Sequence, residues 1–243
     1  MTRDPSERIK DLFAAGSHDL TPASTRHAVY VLYAPVSRDP EVTNLCASVL
    51  SDTELRRADR FVNDYDKRQF IQRRAFRRFC GAMALQSSLP LWQIVFKETE
   101  KGRPYLSGFP GVRFSFSSCR FGFLGAWSSI YGIGVDIEDQ TRNPEASELA
   151  HRYFSGAEAN AVERGGGLER LRTFFQFWSL KEAALKSIGE GLPFGLDAFQ
   201  FELDPTLRVV HAPPDHGGPE KFDAHVIEGT DGSYAALVIR SLA

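Results

Sequence analysis

Ser51-Asp-Thr-Glu54 and, 104 residues later, the second capping pattern in Phe154-Ser-Gly-Ala-Glu158 carry one helix-start signature twice in the chain. In each, a serine hydroxyl and a glutamate carboxylate three residues on can satisfy the free amides of a first helical turn. After the first cap, Phe70, Ile71, Ala75, Phe79 and Met83 recur at steps of three and four, with Arg73, Arg74, Arg77 and Arg78 on the flanks. That spacing predicts an amphipathic helix over residues 66–83 with a basic edge. After the second cap, residues 174–188 read as another long amphipathic helix, followed by a strand at 199–203. Cap, aromatic helix and strand thus occur twice, 104 to 107 residues apart. The reading is a weak internal repeat and an α+β chain of two similar halves.

Working outward, residues 29–33 read as a buried strand, because β-branched and aromatic side chains crowd a short run. Strands are also expected at 93–97, 112–117, 121–127, 131–138 and 235–239, with a turn at Lys101-Gly-Arg-Pro104 and a break at Asn143-Pro144. Residues 1–25 are polar and are expected to form a flexible leader, residues 26–130 an N-terminal α+β subdomain and residues 131–243 a C-terminal one.

The 243 residues are 42% hydrophobic and 25% charged, with 29 Lys and Arg against 31 Asp and Glu, as in an ordinary globular protein with a sizeable core. That balance argues against a nucleic-acid coat protein. It hides an asymmetry, since residues 56–78 hold nine basic side chains and three acidic ones. Three cysteines without Cys-x-x-Cys spacing argue against a disulfide framework or a structural zinc site. The charged first ten residues lack a signal-peptide core, and no apolar run approaches the ~20 residues needed to span a bilayer. The expectation is a reduced, cytoplasmic protein that binds neither nucleic acid nor membrane.

Asp136 and Glu138 lie two apart on an expected strand, so their carboxylates share a face. Alone, such a pair is more often a solvated strand end. Paired carboxylate oxygens are also what Mg²⁺ takes from a protein while keeping positions for water and phosphate. Glu182 and Lys186 are four apart on the second long helix, one turn beyond Trp178, and alone would read as a surface ion pair worth ~0.2–0.5 kcal/mol. Beside Asp136 and Glu138 they would instead supply a third carboxylate and a cation for a leaving pyrophosphate. Arg103 stands in a turn where Gly102 permits close approach of a ligand and a guanidinium can fork onto phosphate.

Taken in order, Lys101-Gly-Arg-Pro104, Phe114-Ser-Phe-Ser-Ser-Cys119, Gly134-Val-Asp-Ile-Glu138, Phe154-Ser-x-x-Glu158 and Phe177-Trp-Ser-Leu-Lys-Glu-Ala-Ala-Leu-Lys186 resemble the 4′-phosphopantetheinyl transferases of the surfactin-synthetase-activating type. The resemblance covers roughly residues 50–205, and the third and fifth motifs are highly specific as a pair. It implies two α+β subdomains related by a pseudo-twofold axis, with the active site at their junction. The implied reaction moves the phosphopantetheine arm of coenzyme A onto a serine of an apo acyl or peptidyl carrier protein and releases 3′,5′-ADP. By the same resemblance Asp136, Glu138 and Glu182 would hold Mg²⁺, Glu182 would be the general base, and Lys186 would stabilise charge on the α-phosphate. Gly102, Arg103, Pro104, Ser117 and Ser118 would contact coenzyme A, and Arg74 would serve its 3′-phosphate. A monomer would suffice, since both halves lie in one chain.

One departure stands out. The family's Phe-Asn-x-Ser-His-Ser reads here with Ser115 for the asparagine and Ser118 for the histidine that contacts the 3′-phosphate. Weaker or rearranged 3′-phosphate recognition is expected, with Arg120 or the basic helix compensating. The alternative reading is a protein that binds carrier proteins or coenzyme A with reduced transfer.

Overall fold

In the computed structural model, which describes residues 4–25, 28–228, 230 and 232–242, five of the seven α-helices among the described residues begin at a side-chain cap. Asp4, Asp39 and Asn63 each accept an amide two residues on, and Ser51 and Ser155 form complete capping boxes with Glu54 and Glu158. The first half runs α1 (Pro5–Gly16), β1 (His18–Asp19), β2 (Tyr30–Pro35), α2 (Pro40–Ala47), α3 (Asp52–Ala58), α4 (Asp64–Ala84), β3 (Phe96–Glu98), β4 (Pro104–Leu106), β5 (Arg113–Ser118) and β6 (Gly122–Ser128). The second runs β7 (Gly132–Asp139), α5 (Ala146–Tyr153), α6 (Gly156–Arg164), α7 (Leu168–Ile188), β8 (Gln200–Glu202), β9 (Arg208–His211), β10 (Phe222–Ile227) and β11 (Ser233–Arg240). From β2 and again from β7, the order is one strand, three helices, a short hairpin and two strands. The fold is α+β, and its repeat extends well beyond the cap and helix seen in the sequence.

The sheets repeat as well. One has the order β1-β2-β6-β5 and the other β10-β11-β7, all antiparallel, so β2-β6-β5 matches β7-β11-β10. Each capping box opens a short helix, α3 or α6, and the long helix restarts after a break. In the second half that break is Gly165-Gly-Gly167, where Gly167 adopts a φ of +53°. The strand expected at 93–97 is displaced, because Leu91–Gln93 form a 3-10 turn behind Pro90 and pairing starts at Phe96.

Each long helix covers its own sheet. In the first half Phe70, Phe76 and Phe79 pack on Phe114, Phe123 and Trp127; in the second, Phe174, Phe177 and Leu180 pack on Ala236 and Val238. A third apolar cluster joins the halves, with Val31, Leu124 and Ala126 against Ile133, Val135 and Leu237.

The expectation of a flexible leader over residues 1–25 is corrected for the part described. Ile9 and Phe13, one turn apart on α1, are buried, and the Phe13 ring lies 5.5 Å from both Phe76 and Phe79. Ser6 accepts the buried amide of Leu91 at 3.0 Å, and β1 pairs with β2. Two apolar anchors among charged residues suffice to dock the segment, too few to stand out as a periodic face. No helix among the described residues is long and apolar enough to cross a membrane.

Candidate active site

The site forms where β7 lies under α7. Gly134 makes this possible, since a Cβ there would sit 1.8 Å from the Ala183 carbonyl oxygen. With no side chain at 134, the helix drops onto the strand and brings Glu182 and Lys186 over Asp136. Lys186 Nζ donates to Asp136 Oδ1 at 2.6 Å, to the Val135 carbonyl at 3.2 Å and to Ser117 Oγ at 3.3 Å, and lies 3.7 Å from Glu182 Oε2. Ser117 Oγ donates to the same Asp136 oxygen at 2.8 Å. Burial pulls the Lys186 ammonium down, but Asp136 and Glu182 outweigh it and hold its pKa above the usual lysine value.

Glu138, two residues along the same face, turns to Arg142 at 2.6 Å. Burial first, then the negative charges of Asp136 and Glu182, push its carboxyl up to about 7 against the opposing pull of Arg142. Glu182 is raised in the same direction by burial and Asp136, opposed by Lys186. The three carboxylates are therefore electrostatically linked, yet their oxygens do not converge. Among the described residues no group of three or more His, Cys, Asp or Glu is arranged as it stands to hold a metal ion. The donor set still fits a hard dication: it is all oxygen, its charges destabilise one another, and Asp136 Oδ2 is buried with no hydrogen-bond partner. A cation beside that oxygen would relieve both defects.

A cleft of about 190 Å³ runs from this cluster into the first half, where Gly102, Arg103, Pro104 and Arg77 line it opposite Glu182, Lys186 and Gly189. Gly102 turns the β3–β4 hairpin at a φ of +80°. Gly189 ends α7 in the left-handed conformation, and its bare Cα lets Arg103 approach. Arg103 Nη2 and Arg77 Nε are buried without partners, which is costly for a guanidinium. Burial first, then Arg73 and Arg74, bring Arg77 down to about 10; burial, then Arg113 and Arg240, lower Arg103. Two desolvated cations with unused donors face one cleft, as an anionic ligand requires.

The structure brings together Gly102, Arg103, Pro104, Glu182 and Lys186 in the cleft, with Asp136 and Ser117 behind them. Arg74 is elsewhere: its Nε pairs with Glu54 at 3.6 Å and its guanidinium covers the Phe70 ring. Arg77, one turn further along α4, lines the cleft instead. Ser118 lies on the opposite face of β5 from Ser117, and Arg73 donates to its hydroxyl at 3.3 Å. Ser118 therefore lines a recess apart from the cleft, with the Arg73 guanidinium beside it. Asp136, Ile137 and Glu138 also line a second recess with Tyr65, Gln69, Ser118 and Arg120.

Ser115 and Lys181 carry structural duties that the sequence reading missed. Ser115 Oγ accepts the Val135 amide at 3.0 Å, on the edge of β7 away from β11, and so ties the two sheets together beside Asp136. Lys181 is fully buried in an ion pair with Glu158 at 2.8 Å. The capping signature had pointed to Glu158, but nothing local in the sequence tells a buried lysine from a surface one.

A Synechocystis protein, slr0495, which bears a 4′-phosphopantetheinyl transferase name, is 32% identical over 174 residues, covering 70% of this chain and 68% of that protein. The chain belongs to the 4′-phosphopantetheinyl transferases. The model of the 4′-phosphopantetheinyl transferase superfamily matches residues 132–239, which is the second half from β7 to β11. The transferase ffp of Bacillus subtilis is 28% identical over 191 residues, with 79% of this chain and 83% of that protein covered. The transferase psf-1 of Bacillus pumilus is 30% identical over 132 residues, or 54% and 55% of the two chains. Membership makes the chain a transferase enzyme whose family takes coenzyme A as substrate and a carrier protein as acceptor.

Proposed function

We propose that this transferase moves the 4′-phosphopantetheine arm of coenzyme A to a serine of an apo acyl or peptidyl carrier protein, with Mg²⁺ held by Asp136, Glu138 and Glu182. The observation that carries this reading is the buried, unpartnered Asp136 Oδ2, beside Lys186 and at the end of a cleft whose far wall offers unused arginine donors. Coenzyme A would lie with its nucleotide phosphates toward Arg103 and Arg77 and its pyrophosphate toward Lys186. Gly102 and Gly189 leave room for it, and Pro104 stiffens the hairpin wall. Glu182 accepts the proton of the carrier serine; the serine oxygen then forms a bond to the β-phosphorus as the bond to the leaving 3′,5′-ADP breaks. Lys186, kept charged by Asp136, offsets the negative charge that grows on the leaving phosphate. When bound, Mg²⁺ supplies further neutralisation of the pyrophosphate. The reading also includes subdomains at 26–130 and 131–243, a monomeric enzyme and a cytoplasmic setting.

The test is mass spectrometry of a panel of apo carriers incubated with enzyme, coenzyme A and Mg²⁺. A gain of about 340 Da, the mass of the transferred arm, is the expected result, and no gain on any carrier rejects the reading.

The metal assignment has its own readout in stability. Glu138 and Glu182 have folded-state pKa values above the ordinary carboxylate range, so each favours the folded state at low pH. That contribution is lost as pH rises through the folded value, about 7 for Glu138. Metal-free protein should therefore lose stability between about pH 4.5 and 7.5, and Glu138→Gln should remove up to about 3 kcal/mol of that loss. Mg²⁺ should raise the Tm at pH 8 far more than at pH 5, and Asp136→Asn should abolish the increment. An equal Mg²⁺ effect at both pH values would reject these ligands.

A further inference from the structure

The wall of the cleft that carries Gly102, Arg103 and Pro104 is the β3–β4 hairpin, a two-stranded sheet of three residue pairs that belongs to neither larger sheet. A hairpin of that size does not hold its place unaided. At its base Leu106 is buried, and the Phe96 ring meets Phe114 and Phe116 edge-on at 4.9 and 5.3 Å. The tip has no apolar anchor, since residues 98–102 are exposed. It is stiff within itself: the Thr99 amide donates to the Arg103 carbonyl at 2.9 Å, the Arg103 amide to Thr99 Oγ1 at 3.1 Å and the Gly102 amide to the Thr99 carbonyl at 2.9 Å. What remains to be set is how this rigid tip leans on the second half. Arg103 Nη1 rests against Gly189, 3.1 Å from where a Cβ would stand. Beside it, Lys101 Nζ donates to Glu190 Oε1, across the mouth of the cleft. On the other side of the hairpin Glu98 lies 3.6 Å from Arg77 of α4. Glu190 is fixed by its backbone, whose amide donates to the Leu185 carbonyl at 2.9 Å behind the left-handed Gly189. Its charge needs a reason, because the lining otherwise holds Arg77, Lys101, Arg103 and Lys186 with Glu182 as the one other acid.

We propose that Lys101 and Glu190 are positioning residues whose ion pair straps the hairpin tip of the first half, and with it Arg103, to the end of α7 in the second. The inference rests on the reading that coenzyme A occupies this cleft. Glu190 acts through Lys101 and not on the ligand. Without the strap the tip swings away from Gly189 while its base stays seated on Phe114 and Phe116, and coenzyme A must order it again on binding. Lys101 is exposed, so the effect is a few-fold in affinity and no more. The two roles open to Glu190 differ in sign. As a bare charge among cations that receive phosphate, it opposes coenzyme A, and its removal lowers the coenzyme A KM. As one end of a strap, its removal raises that KM.

The test uses Glu190→Gln, Lys101→Met, the two combined, and the charge swap Lys101→Glu with Glu190→Lys, all in the full chain. Transfer kinetics are measured with Mg²⁺ and an apo carrier, varying coenzyme A and carrier in turn, and amide hydrogen exchange over residues 96–106 is followed in the ligand-free protein. Each single change should raise the coenzyme A KM about threefold, leave kcat and the carrier KM within about twofold, and speed exchange in the hairpin. The combined neutral variant should be no worse than either single change, because one pair is lost in all three. The charge swap should return the KM and the exchange to near the wild-type values. A coenzyme A KM that falls or stays unchanged in Glu190→Gln overturns the strap. So does a charge swap that restores nothing, or additive losses in the combined variant, which would make Lys101 a direct contact of the ligand. If the wild type modifies no carrier, the transferase reading falls, and the exchange measurement decides the strap alone: faster exchange in Glu190→Gln supports it and unchanged exchange overturns it.

Discussion

Glu182→Gln should lower kcat for carrier modification by about 10²–10⁴, the usual contribution of a positioned general base, with the coenzyme A KM changed about twofold or less. The amide keeps the shape and the place on α7 but cannot take a proton. Nothing else in the cluster should move, because Lys186 keeps its bonds to Asp136, Val135 and Ser117. Burial and Asp136 raise the Glu182 carboxyl in the metal-free protein and bound Mg²⁺ opposes them, so the acid limb of the wild-type rate should move to higher pH as Mg²⁺ is lowered. The sign follows from the role: the base must be ionised, and activity is lost as pH drops through its pKa. In the variant that acid limb should disappear along with most of the rate. Thermal melts of the two proteins should agree within a few degrees. Unchanged turnover in the variant would remove Glu182 from the reaction, and an acid limb retained there would assign it to another group.

The paired caps and the two long helices were legible because they are local: a serine, a glutamate three residues on and an apolar stripe speak for themselves within one window. Asp136 and Glu138 were legible as a shared strand face for the same reason. What joins them to Glu182 and Lys186 is Gly134, whose missing Cβ matters only because Ala183 lies against it. Contacts of that kind span fifty residues and leave no periodic trace. The arginines show the same limit. Periodicity gave the basic edge of α4, but Arg73, Arg74, Arg77 and Arg78 divide their work by which neighbour each meets. Arg73 reaches Ser118, Arg77 the cleft, and Arg74 and Arg78 the cap of α3 through Glu54. The leader was misread because docking needs only Ile9 and Phe13, and a polar segment with two anchors looks the same whether docked or free.

Lys181→Met should destabilise the enzyme by about 3–5 kcal/mol, among the largest single effects available outside the reaction centre. The three ammonium donors of Lys181 are all used, on Glu158 at 2.8 Å, the Leu196 carbonyl at 3.0 Å and the Phe199 carbonyl at 2.5 Å. Glu158 in turn accepts the Ser155 and Phe201 amides, both at 2.9 Å. One buried pair therefore ties the start of α6, the turn before β8 and α7 into a single unit. Removing the cation leaves a carboxylate with no access to water and two carbonyls unpaired. The first half contains the matching pair, Arg78 with Glu54 at 2.6 Å, and it should behave differently. Glu54 keeps some solvent contact and a second partner in Arg74, so Arg78→Met should cost nearer 1–3 kcal/mol. Urea denaturation of the two variants reads the difference directly. In the second half, Glu158→Leu with Lys181→Met should cost less than the two single changes summed, because neither charge is left buried alone. Equal losses from Lys181→Met and Arg78→Met, or strict additivity in the double variant, would show that full burial of the Lys181–Glu158 pair does not set its contribution to stability.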